Sequence, residues 1–274
     1  MSFVPTLVVM ERYDWNGAAD DYARFRAGFP ARLFEELEQR RLLRTPALDV
    51  GAGTGAIALE LARRGMQVEA IDAAEAPLGF ARAKARRLGC ERRIRFRRAT
   101  AEHPGVEPNR FELVVAGQCW HWFRRKEAAR ALRRALRPGG ALIIAHLDWL
   151  VEAGGVVEAS LDLIERHLAR SSRAFDALTV RGLYPYWLED LRGADFGRIE
   201  SFSFDGLIPY TGTSWRGRFR ASSYVGARRD LDADARAACD RALENMLDAE
   251  WENLQSVPHR VFVALGRKPE SREK

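Results

Sequence analysis

The sequence predicts an α/β fold, with a doubly wound seven-stranded sheet and an inserted helical cap. From Ala47 onward, short apolar runs alternate with longer helical patterns, which is typical of βαβ units that build a parallel sheet. After His146 this alternation ends, and an amphipathic helical pattern replaces it. With 274 residues, of which 47% are hydrophobic, the chain can bury one large domain or one domain with a cap.

Seven segments have the pattern of strands, because each is an apolar or alternating run bounded by turn residues. They are Ala47–Val50, Gln67–Ile71, Ile94–Arg97, Phe111–Ala116, Ala141–His146, Arg198–Phe204 and Arg260–Leu265. A helix is predicted between the fourth and fifth of these strands, from Arg124 to about Leu136. It ends there because Pro138 cannot continue a helix and two glycines follow, which suit the turn into the next strand.

Three further helices are predicted after His146. They cover Val156–Arg170, Tyr186–Arg192 and about Asp232–Leu254. The first and last have apolar residues at helical spacing, and in the last this pattern is typical of a helix that packs on a sheet.

The predicted domain organisation has four parts. They are N-terminal capping helices (1–40), a Rossmann-like domain (41–148 and 196–266), a cap inserted over the substrate site (149–195) and a disordered tail (267–274). The tail is expected to fray because it is charged and contains Pro269.

The chain is basic, with a net charge of +6, and this raises nucleic acid as a possible partner. The densest basic run, Ala81 to Arg98, has nine basic residues and one acid. Only four of the 44 basic residues are lysines and the chain is rich in Ala, so a biased genome explains the charge equally well. We interpret the run as a solvated face and do not expect nucleic acid as a partner; an RNA-binding surface is the alternative.

Cysteine, histidine and hydropathy patterns exclude several classes. The three cysteines and five histidines are scattered, so neither a disulfide framework nor a metal site is expected. No apolar run reaches 18 residues, and the first ten residues lack the basic region of a signal peptide. A cytoplasmic protein without membrane spans is therefore predicted.

The most informative segment is a glycine loop in which a strand runs directly into Gly51, Gly53 and Gly55 and then into a helix. Glycines at this spacing let the backbone turn tightly and approach a ligand, and the following helix directs free N–H groups at the loop. Twenty-one residues after Gly51, the second strand is followed by Asp72, whose carboxylate can accept hydrogen bonds from both ribose hydroxyls of a nucleoside.

Asp49, two positions before the first glycine, separates the candidate cofactors. Its carboxylate would repel the pyrophosphate of NAD and attract a ligand that carries an ammonium and a sulfonium. The charge and the GxGxG spacing therefore favour S-adenosyl-L-methionine, which becomes S-adenosyl-L-homocysteine after transfer. In a purely structural interpretation, Asp49 caps a turn and Asp72 caps the helix near Pro77.

At these residues the chain resembles the class I S-adenosylmethionine-dependent methyltransferases, within the small-molecule group often labelled type 11. The resemblance covers most of residues 15–146. The motifs that carry it are YARFRAGFP (22–30), LDVGAGTG (48–55), Ile71-Asp72, ATAEHP (99–104), FELVVAGQCWHWF (111–123) and LRPGGALII (136–144).

The resemblance implies a Rossmann-like sheet and a set of cofactor-binding residues. These are Tyr22, Arg26, Asp49, Gly51, Ala52, Gly53, Gly55, Asp72, Ala73, Thr100, Ala101, Glu102 and Gln118. Tyr22 and Arg26 would lie over the methionyl end. The family commonly has an acid where Thr100 stands, so the contact with the adenine amino group would pass to the Thr100 hydroxyl or be lost, while the Ala101 N–H could still serve the ring.

Substrate-facing residues in this family follow the fourth strand, where this chain has the segment 118–123. His121 is the candidate general base, since imidazole titrates near neutral pH; its alternative role is structural. The candidate substrate-binding residues are Trp120, Trp122, Phe123, Tyr186 and Trp215. Arg216, Arg218 and Arg220 alternate in a predicted strand, which would place all three on one face, toward water or toward a carboxylate.

The function that the sequence predicts is methyl transfer from S-adenosylmethionine to O, N or C of a small molecule, natural products included. The alternatives are an RNA methyltransferase and a non-catalytic S-adenosylmethionine-binding protein; a nicotinamide oxidoreductase is disfavoured by Asp49 and the glycine spacing. No oligomeric state is predicted.

Overall fold

The computed structural model describes residues 14, 19–168, 181–226 and 231–270. Within them the strands are β1 (Ala47–Val50), β2 (Val68–Asp72), β3 (Ile94–Arg98), β4 (Phe111–Gly117), β5 (Leu136–Trp149), β6 (Gly197–Pro209) and β7 (Ser256–Arg267). They form one seven-stranded sheet in the order β3-β2-β1-β4-β5-β7-β6. The predicted seven-stranded α/β fold is confirmed.

The first five strands pair in parallel. β1 pairs with β2 on one side and β4 on the other, β2 also pairs with β3, and β4 with β5. Every residue of β1 is buried, as expected for a central strand of a parallel sheet covered on both faces. The strand order reverses beside β1, and ligands of open α/β sheets bind at the carboxyl ends of strands where such a reversal occurs.

The helices of the described chain are α1 (Ala19–Phe25), α2 (Ala31–Gln39), α3 (Ala58–Arg63), α4 (Glu75–Arg87), α5 (Arg125–Ala135), α6 (Val156–Leu168), α7 (Tyr186–Arg192), α8 (Gly212–Arg220) and α9 (Ala233–Glu250). The bounds of α7 are those predicted, whereas residues 169 and 170 of the predicted α6 lie outside the described residues. In the part of the chain that is described, no helix is long and apolar enough to cross a membrane.

The chain divides into two compact units. We call Gly28–His146, Tyr184–Ser203 and Val261–Lys274 the glycine-loop unit. We call Met1–Ala27, Leu147–Leu183 and Phe204–Arg260 the helical unit. The predicted N-terminal capping region is split between them, and residues 1–13 and 15–18 of it lie outside the described residues.

The units differ from the predicted boundaries because α9 packs on helices. Its apolar residues Cys239, Leu243 and Leu247 are buried in one core with Val157 of α6 and Trp215 of α8. Residues 204–260 therefore group with 147–183, whereas the prediction assigned all of residues 204–260 to the sheet domain. Amphipathic spacing shows that a helix buries one face, but it does not show which surface covers that face.

β5 begins at Leu136, five residues earlier than predicted, and hydrogen bonds with Lys268 explain the difference. Gly139 N–H donates to the Lys268 carbonyl (2.9 Å) and Lys268 N–H donates to the Gly140 carbonyl (2.8 Å). The Pro-Gly-Gly segment is thus held as a strand by residues distant in sequence. The prediction of a disordered tail from residue 267 is wrong for Arg267 and Lys268, while residues 271–274 lie outside the described residues.

The predicted strand through Arg216, Arg218 and Arg220 is also wrong, since these residues lie in α8. A capping box starts the helix: Thr211 Oγ1 accepts from Ser214 N–H, and Ser214 Oγ accepts from Thr211 N–H. In a helix, residues four apart share a side and the residue between them points away. The three arginines therefore do not share a face.

Candidate active site

The carboxyl ends of β1, β2 and β4 bring the predicted site segments together. The glycine loop follows β1, Asp72 is the last residue of β2, and residues 118–123 follow β4. β1 lies between the other two strands, so these segments meet where the strand order reverses. All of them belong to the glycine-loop unit.

The glycine loop needs its glycines for two different reasons. Gly51, at φ +66°, has no room for a side chain, because a Cβ there would lie 2.8 Å from Cys119 Sγ and 3.1 Å from Phe123 Cζ. Gly53, at φ +53°, borders open space, since a Cβ there would meet no atom within 4 Å. The loop therefore packs against the segment after β4 at Gly51 and leaves backbone accessible at Gly53.

Asp72 joins the loop to the end of β2. One carboxylate oxygen accepts from Gly53 N–H and the other from Ala74 N–H, each at 2.8 Å. Burial raises the pKa of Asp72, and these backbone hydrogen bonds oppose the rise. Each oxygen has a second lone pair, so the fixed carboxylate can still accept hydrogen bonds from ligand hydroxyls.

Asp49 is buried, with 1% of its surface exposed, and its Oδ2 accepts from Ala58 N–H at 2.9 Å. Ala58 is the first residue of α3, so this carboxyl group also caps the helix, as the structural interpretation of the sequence predicts. Burial raises the pKa of Asp49 to about 8, and the charge of Asp72 adds to the rise. Near neutral pH Asp49 is therefore largely protonated, unlike the fixed negative charge expected from the sequence.

Cys119 closes the space behind the loop. Its thiol donates to the Val50 carbonyl at 3.1 Å, and burial raises the pKa of Cys119 well above its ordinary value, with the charges of Asp49 and Asp72 adding to the effect. The sulfur is therefore a thiol at neutral pH rather than a nucleophilic thiolate.

His121 lies in a short 3-10 turn, Trp120–Trp122, and is half-buried. The centroid of its ring is 4.7 Å from that of Trp122 and 5.2 Å from that of His146. Trp120, in contrast, is fully buried and its Nε1–H donates to Asp190 at 3.0 Å. Trp120 thus has the environment of a core residue, whereas His121, Trp122 and Phe123 keep part of their surface exposed.

His146 lies beside the candidate site, and sequence reasoning missed it. It lies on β5, is 6% exposed, and its ring centroid is 4.8 Å from Tyr184 and 5.6 Å from Trp187. The pairing of Gly117 with Ala145 brings it next to the segment after β4. Parallel pairing of the two strand ends was the signal that could have found it.

Comparisons with known proteins agree with this geometry. The family described as "Methyltransferase domain" matches residues 48–144. Over residues 48–144 the chain is therefore similar to the methyltransferases, and this segment contains the glycine loop, Asp72 and the segment after β4. The resemblance stated from the sequence motifs is thereby confirmed.

An uncharacterized methyltransferase of Mycobacterium bovis is 30% identical over 153 residues, which cover 52% of this chain and 58% of that relative. The match thus spans little more than half the length of that curated relative. Among solved structures, the [4+2]-cyclase SpnF is similar with a TM-score of 0.54 and 23% identity, over 90% of this chain and 85% of that one. Phosphoethanolamine N-methyltransferase 2 of Haemonchus contortus, in complex with S-adenosyl-L-methionine, has a TM-score of 0.53 and 17% identity, over 98% and 61%. These two likenesses show the fold alone.

The third loop of the methyltransferase domain contains the residue that departs from the family pattern. Thr100 is exposed and its hydroxyl accepts from His103 N–H at 3.2 Å, while Ala101 is buried. Glu102 accepts from Arg124 N–H at 2.7 Å, which ties this loop to the start of α5. The Thr100 hydroxyl is therefore engaged within its own loop, and its predicted contact with adenine stays a prediction.

The remaining predicted site residues are distributed over both units. Tyr186 begins α7 in the glycine-loop unit and is 57% exposed. Tyr22, Arg26 and Trp215 belong to the helical unit, where the Arg26 guanidinium lies 5.0 Å from the Tyr22 ring centroid. Trp215 is fully buried, and its Nε1–H donates to Ser160 at 3.0 Å. Their contacts with cofactor or substrate stay predictions.

No group of three or more His, Cys, Asp or Glu side chains in the described ranges is arranged to hold a metal ion.

Proposed function

We propose that this chain transfers a methyl group from S-adenosyl-L-methionine to an oxygen, nitrogen or carbon atom of a small molecule. The observation that carries the proposal is the Asp72 carboxylate, fixed by Gly53 N–H at 2.8 Å beside the accessible backbone of the glycine loop. A carboxylate at the end of β2 can accept from both hydroxyls of a ribose.

The residues present fit the adenosyl cofactor. Asp72 supplies the acceptors for the ribose, and Gly53 and its neighbours offer backbone where a side chain would obstruct a ligand. The backbone of Ala101 would serve the adenine ring, with Ala73 and Glu102 nearby in the two loops that follow β2 and β3. When bound, S-adenosylmethionine supplies an electrophilic methyl group on a sulfonium centre.

His121 is the proposed general base or orienting group. Methyl transfer is an in-line displacement, so the protein has to hold the acceptor atom about 3 Å from the methyl carbon and exclude water. His121 can accept the proton of an acceptor hydroxyl or ammonium, and Trp122 and Phe123 can shield the acceptor from solvent. Gln118, at φ +63°, begins the turn that presents these side chains.

We propose a small molecule rather than RNA as the acceptor, because several arginines of the basic run from Ala81 to Arg98 bind other groups of the protein. Arg97 pairs with Glu69 at 2.9 Å, Arg93 donates to the Gly65 carbonyl at 2.8 Å, and Arg98 donates to the Ala73 carbonyl at 3.0 Å. Arginines held by protein groups are less available to phosphates. RNA binding would then be weak and would fall steeply with salt.

A second candidate function is binding of the cofactor without methyl transfer. The likeness to the [4+2]-cyclase SpnF raises this candidate, because a protein with a similar fold is named for a cyclisation and not for methyl transfer. The test must therefore measure binding and turnover separately.

The experiment has two stages. Calorimetry of the full chain with S-adenosylhomocysteine and with NAD tests the cofactor; tighter binding of NAD would overturn the proposal. The chain is then incubated with methyl-labelled S-adenosylmethionine and fractionated small-molecule extracts, with total RNA as the comparison. Label in one small-molecule fraction supports the proposal. Label in RNA would indicate an RNA methyltransferase, and binding without label in any fraction would favour the non-transferring alternative.

A further inference from the structure

Arg218 of α8 is a buried cation in the helical unit, with 9% of its surface exposed. Among the described residues no carboxylate forms an ion pair with it, and its Nη1 has no hydrogen-bond partner. The neighbouring arginines of the helix differ sharply. Arg216 and Arg220 both pair with Asp240, at 3.5 and 3.0 Å. The helix therefore turns two arginines toward an acid and one toward the interior of its unit.

A buried charge without a counter-charge destabilises a fold, and a protein retains one where a ligand compensates it. Burial, with the nearby charge of Arg26 adding to the effect, lowers the pKa of Arg218 to about 10. This pKa is still far above neutral, so the guanidinium stays protonated. Two cations thus act on the same small region.

The other groups around Arg218 are aromatic or neutral donors. Its guanidinium carbon lies 4.8 Å from the ring centroid of Trp149. Tyr210 is 4% exposed, and its hydroxyl has no hydrogen-bond partner in the described part of the chain. Tyr22 and Tyr224 also interact electrostatically with Arg218. The region therefore contains a buried cation, a buried phenol without a partner, and aromatic surface.

His259 adds no second positive charge beside Arg218 at neutral pH. Its Nδ1 lies 2.9 Å from the Val257 carbonyl, and its ring stacks on Tyr210 with centroids 5.8 Å apart. Burial lowers the pKa of His259 to about 4, with the charges of Arg218 and Arg26 adding to the effect, so the ring is neutral near pH 7. The charge of Asp148 acts on the pKa of His259 in the opposite direction.

We infer that the helical unit binds the carboxylate of a small organic acid at Arg218, with the Tyr210 hydroxyl as a second donor and Trp149 beside it. A guanidinium presents two parallel N–H groups in one plane, which matches a carboxylate bidentately. The aromatic surroundings favour a planar, singly charged group on an organic body over a strongly hydrated dianion such as phosphate. Asp72, Gly53 and His121, on which the proposed methyl transfer rests, belong to the glycine-loop unit. Tyr22 and Arg26, which act on Arg218, are the residues predicted for the methionyl end of the cofactor, so the test has to separate a cofactor carboxylate from that of another ligand.

The test compares Arg218→Met with Arg220→Met, a matched change on the same helix. Without ligand, Arg218→Met should have a Tm equal to or above that of the wild type, because it removes a buried uncompensated charge. Arg220→Met should have a lower Tm, because it breaks the pair with Asp240. A Tm loss in Arg218→Met as large as in Arg220→Met would mean that Arg218 has a structural partner, and would overturn the inference.

Binding is measured with acid and amide pairs: acetate and acetamide, benzoate and benzamide, phenylacetate and phenylacetamide. Wild type and Arg220→Met should be stabilised by at least one acid and not by its amide, and Arg218→Met should bind that acid at least about tenfold more weakly. Tyr210→Phe, which removes only a hydroxyl, should keep the fold and lose part of the affinity. Equal binding of acids and amides, no acid binding by wild type, or stronger binding of inorganic phosphate would each overturn the inference.

The carboxylate can come from a free acid or from the amino-acid end of an adenosyl compound. S-adenosylhomocysteine and 5′-methylthioadenosine, which lacks that end, form the pair that separates the two sources. If Arg218→Met weakens binding of S-adenosylhomocysteine as well as of the free acids, and leaves binding of 5′-methylthioadenosine unchanged, the carboxylate site is assigned to the cofactor. A loss confined to the free acids supports a separate ligand. The organic-acid titrations contain no cofactor, so they stand or fall independently of methyl transfer.

Discussion

Gly53 donates its backbone N–H to the carboxylate of Asp72 across 2.8 Å, although 19 residues separate the two in sequence. The bond fixes the orientation of a carboxylate that also accepts from Ala74. A preorganised acceptor loses little entropy when a ligand binds, so this contact prepares the end of β2 for a diol.

Asp72→Asn is expected to weaken binding of S-adenosylhomocysteine at least about tenfold, because the amide presents one acceptor where the carboxylate presents two. Calorimetry at pH 7.5 measures the change. Glu91→Gln, an exposed change in the same unit, is the control and should bind as the wild type does. If Asp72→Asn binds equally well, Asp72 only closes the loop.

The local parts of the site could be predicted from the sequence, and the long-range parts could not. The glycine loop, Asp72 and the segment after β4 depend on short motifs and on parallel strand order, both of which are visible in the residues. The position of His146 beside the segment after β4 depends on the pairing of β4 with β5, and the strand geometry of Gly139 and Gly140 depends on Lys268. Such contacts leave no local pattern.

One prediction failed because a short pattern can fit two periods. The contact of Asp49 with the cofactor stays a prediction, since its buried carboxyl group also caps α3 through Ala58 N–H. Arg216, Arg218 and Arg220 alternate as in a strand, yet the capping box at Thr211 starts a helix. Over five residues, the two-residue period of a strand and the four-residue spacing of a helix face both include positions 216 and 220, so the pattern does not distinguish the two structures.

Asp49 predicts a pH-dependent stability. Its pKa in the folded chain is about 8, above the ordinary value of 3.8, so the protonated form favours the fold. The contribution is complete below about pH 4 and is lost as the pH rises through 8. Denaturation by urea should therefore show a smaller free energy of unfolding at pH 9 than at pH 6. In Asp49→Asn this difference should shrink, and an unchanged difference would contradict the assignment to Asp49.

The same group predicts a pH effect on cofactor choice. The sulfur of S-adenosylmethionine is positively charged and that of S-adenosylhomocysteine is neutral, so only the first ligand gains from a negative charge on Asp49. The preference for S-adenosylmethionine should therefore increase between pH 6 and pH 8, as Asp49 ionises, and then level off. Both ligands carry the same ammonium group, so its contribution to binding drops out of the ratio of the two affinities. Asp49→Asn should give a ratio that does not vary with pH; a wild-type ratio that is equally flat would remove Asp49 from recognition of the sulfonium.

The two glycines should respond differently to alanine. Gly51→Ala should cost about 1–3 kcal/mol of stability from the clash with Cys119, added to about 1–2 kcal/mol for a left-handed backbone. Gly53→Ala has no clash and should cost only the backbone penalty, but it should weaken S-adenosylhomocysteine binding, because the new methyl group enters the space beside the loop. Urea unfolding and calorimetry of both variants check this, and equal stability losses would contradict it.

His121 should matter for turnover and not for cofactor binding, because the proposed adenosyl contacts come from other loops. With the acceptor identified by label transfer, His121→Ala should lower kcat by roughly 10²–10⁴-fold, as is typical of losing a general base, and leave S-adenosylhomocysteine affinity unchanged. His103→Ala, which removes an exposed histidine of the same unit, should have wild-type activity.

His121→Asn separates the two roles that His121 can have. An amide keeps a hydrogen bond but accepts no proton at neutral pH. Activity near wild type would therefore assign His121 to orienting the acceptor, and a loss equal to that of His121→Ala would assign it to base catalysis.

The pH profile gives a second readout. If His121 is a general base, kcat falls at low pH as His121 becomes protonated, and both variants should lack this fall. An acceptor that is already ionised when it binds, such as a carboxylate, needs no base. With such an acceptor, neither substitution should change how kcat depends on pH. Near-wild-type rates in both variants, with an unchanged pH profile, would remove His121 from the mechanism and leave its ring contacts with Trp122 and His146 as packing.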